Sequence, residues 1–291
     1  MKTAVVILNY NDYETTYDMI EQIKDYKCLN YILIVDNKST DRSYSKLKKL
    51  ENKKIKVIKT DENKGYAYGN NFGVRYIDDN YKVDNIIISN PDVIVSEDTI
   101  NTLINDLKDE TITLIAPVVE EKGNISRGWK LPHFIEDLLS NMNYFHKYSK
   151  KLMSYKDDHY NNKLSRVEVV HGCFFMIKMK AFKEVNYFDE NTFLYYEENI
   201  LGKKLKDNNM YCYVDNSVKV IHNLSVSVDK TYNSINKYKI LKNSQKYYEK
   251  NYNNLNIFGI ILLRIFYYIS LAVSYIIVFI LNLKGSKKWK I

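Results

Sequence analysis

The chain has 291 residues, of which 45% are hydrophobic, and a formal net charge of +8. This length suits one large domain or two smaller ones with a substantial core. The charge is compatible with an anionic partner, but no zinc-finger spacing or other nucleic-acid-binding signature accompanies it, so we expect no nucleic-acid partner. The three cysteines, Cys28, Cys173 and Cys212, form no CxxC pair. They therefore predict reduced thiols in a cytosolic domain rather than a disulfide scaffold.

The first 117 residues alternate short apolar runs with segments of helical periodicity. The apolar runs predict strands over residues 4–8, 31–35, 55–58, 86–89 and 111–116, the last closed by Pro117. Between them, apolar residues such as Met19, Ile20 and Ile23 recur at helical spacing. Strands that alternate with helices in this way predict βαβ units and an α/β fold with a mostly parallel sheet.

Polar clusters follow four of the predicted strands. They are Asn9–Asp12, Asp36–Asp41, Asn63–Gly65 and Asn90–Asp92. Because the carboxyl ends of parallel strands meet at one edge of a sheet, we expect these clusters to form a nucleotide-sized site there. The patterns GxGxxG and GxxxxGK[ST] are absent, so neither a Rossmann dinucleotide site nor a P-loop is predicted.

Asp92 stands just after a buried strand and the breaker pair Asn90-Pro91. A carboxylate in this position can bind a hard divalent cation, which prefers oxygen ligands and commonly bridges phosphates. The alternative is that Asp92 only shapes the turn, as Asp often does.

The second part of the chain begins with a less regular stretch over residues 118–165, in which we expect a mobile, functional insertion. An acidic stretch, Phe193–Asn199, runs into a helix further on, and His222 ends the last predicted strand. The other elements predicted here are strands at 167–170, 173–177, 211–214 and 218–221 and a short helix at 179–185.

Residues 257–283 form an apolar run in which Arg264 is the single charge. A membrane span needs roughly 20 apolar residues, so this run predicts a membrane-associated helix. The basic tail over residues 284–290 suits anionic head groups. A buried helix of a soluble domain is the alternative, but such a helix should show a polar face. Lysines flank both ends, so the positive-inside rule does not decide whether the helix spans the membrane or lies in one leaflet.

Five motifs occur in a fixed order along the chain. They are Val5–Asn11, Val35–Asp41, Asn63–Gly73, Asn90-Pro91-Asp92 and Phe193–Glu198. Together they resemble the family 2 glycosyltransferases of the GT-A fold, and most of all the bacterial rhamnosyltransferase-like branch, over roughly residues 3–225. The resemblance implies a central, mostly parallel sheet flanked by helices.

The resemblance also implies a division of the chain. Residues 1–117 would be the nucleotide-sugar-binding half, and residues 118–233 the acceptor-side half of the same catalytic domain. Residues 234–291 would contain a basic linker, the apolar helix and the basic tail.

The resemblance implies that several residues bind the nucleotide sugar. Asp36 would accept a hydrogen bond from the base, Asn9 and Asp41 would lie beside the nucleotide, and Gly65 would let the backbone approach the donor. The full nucleotide-sugar-binding set is Asn9, Asp36, Asp41, Asn63, Gly65, Asn90 and Asp92.

The resemblance also implies a divalent metal, Mg²⁺ or Mn²⁺, on the diphosphate of the donor. Asp92 matches the last Asp of the family's metal-binding motif. His222 follows a strand at a position where the family often has a histidine near the metal or the diphosphate. A structural role for His222 is the alternative.

Glu197-Glu198 matches the acidic pair of the family, in which the second member typically acts as the general base. We therefore assign Glu198 to deprotonate the acceptor hydroxyl, with Glu197 as the second candidate. The alternative is an exposed acidic helix start that the helix dipole favours. Ile200 stands where the family often has a further Asp, so a fuller acidic motif is not supported.

The acceptor side is less defined by the resemblance. Gly172 is expected to let the backbone approach the acceptor, and its neighbour His171 has no assigned role. Arg127 and Trp129 are expected, from their residue types alone, to contact the acceptor or its phosphates.

The function implied is that of a membrane-associated, inverting glycosyltransferase with a cytoplasmic catalytic domain. It would transfer a sugar from a UDP- or dTDP-linked donor to a saccharide acceptor in cell-surface polysaccharide synthesis. We expect this acceptor to be polyprenyl-diphosphate-linked, because the apolar C-terminus favours a membrane-held acceptor. A sugar-nucleotide pyrophosphorylase is disfavoured, because Asn9–Asp12 is not the Gly-rich, basic loop that such enzymes carry. A catalytically silent, membrane-anchored partner of a glycan assembly complex stays open, because of the Glu-Glu variant and Ile200.

Overall fold

The computed structural model describes residues 1–142, 145–223 and 234–283. Its centre is a ten-stranded sheet with the strand order β3-β2-β1-β4-β9-β6-β10-β5, to which β7 and β8 add at β6 and β10. The strands are β1 Thr3–Asn9, β2 Tyr31–Asp36, β3 Ile55–Lys59, β4 Asn85–Ser89, β5 Val93–Ile94, β6 Leu114–Glu121, β7 Asn124–Ser126, β8 Leu164–Val167, β9 Phe174–Lys178 and β10 Cys212–His222.

Helices cover both faces of this sheet. In the described part of the chain they are α1 Tyr13–Ile23, α2 Ser43–Leu47, α3 Tyr66–Asn80, α4 Glu97–Asp106, α5 Phe134–Ser140, α6 His146–Met153, α7 Met179–Glu184, α8 Glu197–Asp207, α9 Ser234–Asn251 and α10 Ile257–Leu283. Short 3₁₀ turns lie at Lys48–Leu50 and Asp157–Tyr160.

The sheet separates two apolar cores because successive strand residues point to opposite faces. In β1, Ala4 and Val6 belong to the core under α3, whereas Val5 and Ile7 belong to the core under α1 and α4. All four residues are almost completely buried. The uninterrupted apolar runs noted in the sequence are therefore strands that are covered on both faces.

The directions of the strands bring the ends of many of them to one edge of the sheet. Strands β1 to β4 run parallel in the order β3-β2-β1-β4, as expected. Strand β9 runs antiparallel to both β4 and β6, and β6 is parallel to β10, so the sheet as a whole is mixed. The carboxyl ends of β1, β2, β4, β6 and β10 and the amino end of β9 consequently lie at the same edge.

Three expectations for the middle of the chain were wrong. Strand β6 does not end at Pro117 but continues to Glu121, because Pro117 pairs with Asp215 of the parallel strand β10 and the ladder resumes beyond it. The two short strands expected at 211–221 are one strand with an irregularity between Asp215 and Lys219. Residues 118–165 are not an irregular insertion, since they contain the end of β6, β7, α5, α6 and the start of β8.

The C-terminal helix α10 is mostly exposed. Ile260 and Leu263 are buried against the rest of the molecule, whereas Phe258, Ile269 and Phe279 are exposed. By length and composition, α10 is the one described helix that is long and apolar enough to cross a membrane. The basic tail expected over residues 284–290 lies outside the described residues, as do residues 224–233.

Candidate active site

A cavity of about 480 Å³ opens at the edge where the strand ends meet. Its lining includes eight of the site residues predicted from the sequence, together with His171. The eight are Asn63, Gly65, Asn90, Asp92, Gly172, Glu197, Glu198 and His222. The cavity therefore brings together residues from both halves of the chain.

One wall of the cavity carries a chain of alternating acidic and imidazole groups. His222 Nε2 lies 3.1 Å from Asp92 Oδ1, and His222 Nδ1 lies 2.5 Å from Glu121 Oε1. His171 Nε2 is 3.3 Å from the same Glu121 oxygen. The hydrogen bond from His171, together with that from His222, lowers the pKa of Glu121 to about 2. Burial opposes the charged form of His222, but its bonds to Asp92 and Glu121 outweigh this and raise its pKa.

Asp92 and His222 have the chemistry and spacing of a divalent metal site. Carboxylate oxygens suit Mg²⁺ and Mn²⁺, and imidazole is a common ligand of transition metals. Adjacent ligands of an octahedral ion lie about 3 Å apart, which matches the 3.1 Å between Asp92 Oδ1 and His222 Nε2. The contact of His222 Nδ1 with a carboxylate is also usual for metal-binding histidines. The two predicted ligands therefore fit such an ion.

A second set of potential ligand atoms, on His171, Cys173 and His222, also lies within 4.8 Å of one another. Metal binding by cysteine requires the thiolate. Burial raises the pKa of Cys173 well above its usual value. Mg²⁺ and Mn²⁺ also prefer oxygen ligands to sulfur, so the carboxylate–histidine pair is the better ligand set for these ions.

The acidic pair lies at the first turn of α8, opposite Gly172. A Cβ atom added to Gly172 would lie 3.8 Å from Glu198 Oε2, so this carboxylate and the glycine backbone are direct neighbours. Glu198 is partly exposed to the cavity, whereas Glu197 is buried and its Oε2 atom has no hydrogen-bond partner among the described residues. Burial raises the pKa of both carboxyls, and the proximity of Glu198 adds to the effect on Glu197. Two neighbouring buried carboxyls do not both ionise readily, so one of them keeps its proton. We assign this proton to Glu197, because no hydrogen bond stabilises a negative charge on its Oε2 atom.

Helix α9 fixes the loop that precedes this acidic pair. Tyr196, the residue before the pair, has a left-handed backbone and donates a hydrogen bond to Asp137 Oδ1 of α5 at 2.5 Å. Gln245 of α9 donates to the Asp137 carbonyl at 3.2 Å, and Ser244 donates to the Leu194 carbonyl at 2.8 Å. The segment expected to be a basic linker is thus packed directly behind the acidic pair.

Gly65 allows two backbone segments to touch at the cavity. Its φ is +103°, and a Cβ atom there would lie only 2.0 Å from the carbonyl oxygen of Phe193. The next residue, Tyr66, donates its N–H to that carbonyl at 2.8 Å and its hydroxyl to the Gly172 carbonyl at 3.0 Å. The Asn-Lys-Gly motif therefore ties the donor-side loop to the loop that carries the acidic pair.

Three of the predicted nucleotide-binding residues do not line the described cavity. Asn9 and Asp36 are fully buried at the strand ends, where the Asn9 amide donates to Asp36 Oδ2 at 2.9 Å. The other Asp36 oxygen accepts the Ser39 N–H at 2.9 Å. Asp41 is exposed and accepts hydrogen bonds from the Ser43 N–H and hydroxyl at the start of α2. Their roles toward a nucleotide remain predictions.

Arg127 and Trp129 also lie outside the cavity lining. Arg127 stacks its guanidinium 4.9 Å from the ring centre of Tyr160. Trp129 donates its indole N–H to Asn199 Oδ1 at 2.9 Å, next to the acidic pair, and its ring centre lies 6.2 Å from that of His171. Trp129 is therefore behind the site, and contact of either residue with an acceptor remains a prediction.

Sequence reasoning missed Glu121 and Asn37, which both line the cavity. Asn37 bridges the two donor-side loops, since its amide donates to Asn63 Oδ1 and to the Gly65 carbonyl, each at 3.0 Å. Asn37 directly follows Asp36 at the end of a predicted strand, so its place in the site could have been predicted from the sequence. Glu121 follows an apolar run, but it was overlooked because the strand was expected to end at Pro117.

Comparisons with known proteins agree with this geometry. The model of the family described as "Glycosyl transferase family 2" matches residues 4–185. The chain is 24% identical over 239 residues to the "Low-salt glycan biosynthesis hexosyltransferase Agl10" of Haloferax volcanii. This match covers 81% of the chain and 71% of that protein.

Solved structures share the fold at lower identity. GalNAc-T7 with UDP, GalNAc and Mn²⁺ aligns with a TM-score of 0.59 at 19% identity, over 78% of this chain and 44% of that one. The mannosyltransferase PcManGT from Pyrobaculum calidifontis with GDP-Man and Mn²⁺ gives 0.58 at 12% identity, over 97% and 75% of the two chains. S. aureus TarS 1-349 with UDP-GlcNAc gives 0.58 at 12% identity, over 91% and 71%.

These neighbours have the GT-A-like architecture of a mixed sheet between helices, which confirms the expected fold class. The family match spans well over half of the chain and includes the strand-end motifs around Asn63, Gly65, Asn90 and Asp92 that line the cavity. The chain therefore belongs to glycosyl transferase family 2 and is a glycosyltransferase.

Proposed function

We propose that this glycosyltransferase transfers a sugar from a UDP- or dTDP-linked donor to a hydroxyl group of a saccharide acceptor, with inversion at the anomeric carbon. The observation that carries the proposal is that the Asp92–His222 pair and the Glu197–Glu198 pair line one cavity of about 480 Å³. The Asp92–His222 pair could hold a metal ion on the diphosphate of the donor, and the Glu197–Glu198 pair could deprotonate the attacking hydroxyl. Their common cavity would hold both substrates in line.

Asp92 and His222 would hold the divalent ion of the donor, Mg²⁺ or Mn²⁺. When bound, such an ion neutralises the negative charge that develops on a departing nucleoside diphosphate. Glu121 would orient the His222 ring, because a proton on Nδ1, shared with Glu121, leaves the Nε2 lone pair directed at the Asp92 side. Asn63, Gly65 and Asn90 would contact the donor from the neighbouring loops, and Asn9, Asp36 and Asp41 would support its nucleotide.

Glu198 would act as the general base. It reaches the cavity beside Gly172, and although burial raises the pKa of its carboxyl, the electrostatic influence of His171 acts in the opposite direction. Glu197 would stay protonated, because its buried Oε2 atom has no hydrogen-bond donor. Deprotonation of the acceptor hydroxyl by Glu198 would occur as that oxygen attacks the anomeric carbon, on the face opposite the leaving diphosphate. Gly172 would admit the acceptor, with Arg127 and Trp129 on its outer side.

We further propose that the acceptor is lipid-linked, such as a polyprenyl-diphosphate saccharide, and that the enzyme works at a membrane from the cytoplasmic side. The apolar surface of α10 supports this, because Phe258, Ile269, Ile276 and Phe279 are all exposed. The name of the relative from Haloferax volcanii, a glycan biosynthesis hexosyltransferase, is compatible with a role in cell-surface polysaccharide synthesis. Within the family, we propose the rhamnosyltransferase-like branch.

A donor screen tests the proposal. The full chain in detergent would be heated with UDP, dTDP, GDP or CDP, each with and without Mn²⁺. Saturation at about 100 times the dissociation constant stabilises a protein by roughly 2.7 kcal/mol, which is a measurable shift. We expect a Mn²⁺-dependent shift with UDP or dTDP that is lost in Asp92→Ala and kept in Asp25→Ala, because Asp25 is exposed and remote from the cavity lining.

Turnover is then measured with the nucleotide sugar of the base that binds. Release of the nucleoside diphosphate that depends on an acceptor supports the proposal. Absence of any nucleotide-dependent shift would contradict the donor site. Binding without turnover on any lipid-linked saccharide would instead favour the silent-partner alternative.

A further inference from the structure

A second cavity, of about 660 Å³, lies between α5, α6 and the segment around Lys130. Its walls are mostly apolar and include Phe145, Tyr148 and Leu152, whose side chains are 42%, 61% and 47% exposed. Surfaces of this kind are unusual on a protein unless they meet a ligand or a membrane. In the part of the chain that the structure describes, this cavity and the candidate active site have no lining residue in common.

Three lysines complete this cavity, and none of the described residues in its lining carries a carboxylate. They are Lys130, Lys151 and Lys156. Among the described residues, none of the three ammonium groups forms a salt bridge, although the Lys130 ammonium lies 5.5 Å from the ring centre of Tyr155. Apolar walls with unpaired ammonium groups match a ligand that has a hydrocarbon part and a strongly anionic part.

The cavity lies directly behind the acceptor side of the active site. Residues 129 and 130 are extended neighbours, because Trp129 pairs with Val169 in a β-bridge and Lys130 donates its N–H to the Met153 carbonyl at 2.8 Å. Successive residues of an extended chain point to opposite sides. Trp129 accordingly reaches His171 and Asn199 at the active site, whereas Lys130 lines the second cavity.

Helix α5 connects the cavity to the apolar C-terminal helix. Helix α5 supplies Leu139 to the cavity and contacts both α6 and α10. A ligand that extends from the cavity along α5 would therefore meet the exposed apolar residues of α10. This arrangement suits a molecule whose hydrocarbon chain stays in a membrane while its phosphates reach the lysines.

We propose that this cavity binds the lipid phosphate portion of the acceptor, that is, an isoprenyl-type chain at the apolar walls and its phosphate or diphosphate at Lys130, Lys151 and Lys156. The inference rests on the proposed lipid-linked acceptor and assigns to it a binding site outside the donor cavity. The saccharide bonded to this phosphate would then extend past the Trp129–Lys130 segment to reach Glu198.

Direct binding of farnesyl diphosphate tests the inference without any glycosyl transfer. The full chain in detergent would be titrated in EDTA, so that no metal recruits the diphosphate to Asp92 and His222. Two further compounds each carry only one part of this ligand: inorganic pyrophosphate lacks the hydrocarbon chain, and farnesol lacks the diphosphate. We expect farnesyl diphosphate to bind at least tenfold more tightly than either, because only this probe satisfies the lysines and the apolar walls together.

Charge reversal provides a matched pair of variants on one helix. Lys151→Glu should weaken binding at least tenfold, because Lys151 lines the cavity. Lys150→Glu makes the same charge change one residue away, at an exposed position outside the lining, and should change binding less than threefold. Leu152→Ala should weaken binding of farnesyl diphosphate but not of pyrophosphate. Circular dichroism would check the fold of each variant.

Equal weakening by Lys150→Glu and Lys151→Glu would overturn the inference, since it would indicate general attraction of α6 to an anionic surface. Sedimentation with phosphatidylglycerol vesicles would show that attraction directly. Equal affinity for pyrophosphate and farnesyl diphosphate would also overturn it. A chain that transfers sugar to a water-soluble saccharide but does not bind farnesyl diphosphate would refute this inference and leave the proposed donor chemistry intact.

Discussion

His222 Nε2 lies 3.1 Å from Asp92 Oδ1, although 130 residues separate the two along the chain. The pairing of two strands produces this contact, because His222 of β10 is the antiparallel partner of Val93 in β5. The Asn223 N–H also donates to the Asp92 carbonyl at 2.9 Å. The proposed metal ligands are thus held by backbone pairing rather than by loose loops, which favours a fixed geometry.

Glu121 should control the affinity of the site for a divalent metal. Glu121→Gln removes the charge that orients His222 and His171, and substitutions of this kind typically weaken metal binding about 10- to 100-fold. Isothermal titration with Mn²⁺ in the presence of UDP would measure the effect. Glu120→Gln is the control, since Glu120 instead forms a surface ion pair with Lys219 at 2.8 Å. Equal loss in both variants would contradict this role.

The two members of the acidic pair should differ in their effect on catalysis. Glu198→Gln should lower kcat by about 10²- to 10⁴-fold, the usual contribution of a general base. Glu197→Gln should have a much smaller effect, because glutamine resembles the protonated carboxyl that we assign to Glu197. Glu110→Gln, at an exposed site, is the control. A larger loss in Glu197→Gln than in Glu198→Gln would reverse the assignment of the base.

The pH profile provides a second measure of the same base. Burial raises the pKa of Glu198, while His171 opposes this and the neighbouring Glu197 shares the buried site. A base must be deprotonated, so kcat/KM should fall as the pH drops through this raised pKa, at a higher pH than an ordinary glutamate would give. An acidic limb at the usual pKa of glutamate, about 4.3, would contradict the buried-pair interpretation.

Substitution of Gly65 should disrupt both stability and donor binding. In Gly65→Ala, the Cβ atom would collide with the Phe193 carbonyl oxygen at 2.0 Å, in addition to the cost of a positive φ of about 1–3 kcal/mol. Gly123→Ala is the matched control, because its φ is +78° and no atom lies within 4 Å of the added Cβ. Urea unfolding should show a loss in both variants, whereas the nucleotide-dependent thermal shift should disappear only in Gly65→Ala.

Glu249 in helix α9 should make the free energy of unfolding depend on pH. Burial and the neighbouring Asp137 raise the pKa of Glu249 to about 9, whereas an unfolded chain has a value of about 4.3. Between these values the folded state holds a proton that the unfolded chain has lost, so the free energy of unfolding should fall as pH rises, by at most about 1.4 kcal/mol per pH unit.

Urea denaturation between pH 6 and pH 9 would measure this dependence. Glu249→Gln should flatten it, because glutamine carries no ionisable proton but can still donate a hydrogen bond toward Asp137. Glu110→Gln should keep the slope of the unmodified chain. An identical slope in Glu249→Gln would show that another group is responsible.

Much of the donor side was predictable because its information is local. Asn63, Gly65, Asn90 and Asp92 follow apolar runs directly, and parallel strands necessarily place such residues at one edge of the sheet. Gly65 also had a local signal, since few other residues tolerate its backbone. Helix α10 was equally predictable, because the length and composition of the apolar run are sufficient to identify it.

Contacts between distant strands were not predictable in the same way. Glu121 was missed because a proline normally ends a strand, and only the pairing of Pro117 with Asp215 across β6 and β10 lets the ladder continue to that residue. Asn9 and Asp36 were expected in the site, but their mutual hydrogen bond and burial depend on the register of β1 against β2.

The sequence by itself therefore determined the alternation of strands and helices over the first 117 residues, the polar clusters at the strand ends, and the apolar C-terminal helix. These follow from periodicity and composition over a few neighbouring residues. Only the tertiary structure decided that Glu121 joins His171 to His222, that Glu197 rather than Glu198 has the orphaned oxygen, and that α9 lies behind the acidic pair. Such relationships depend on strand register and on packing between residues as far as 101 positions apart, which no local pattern encodes.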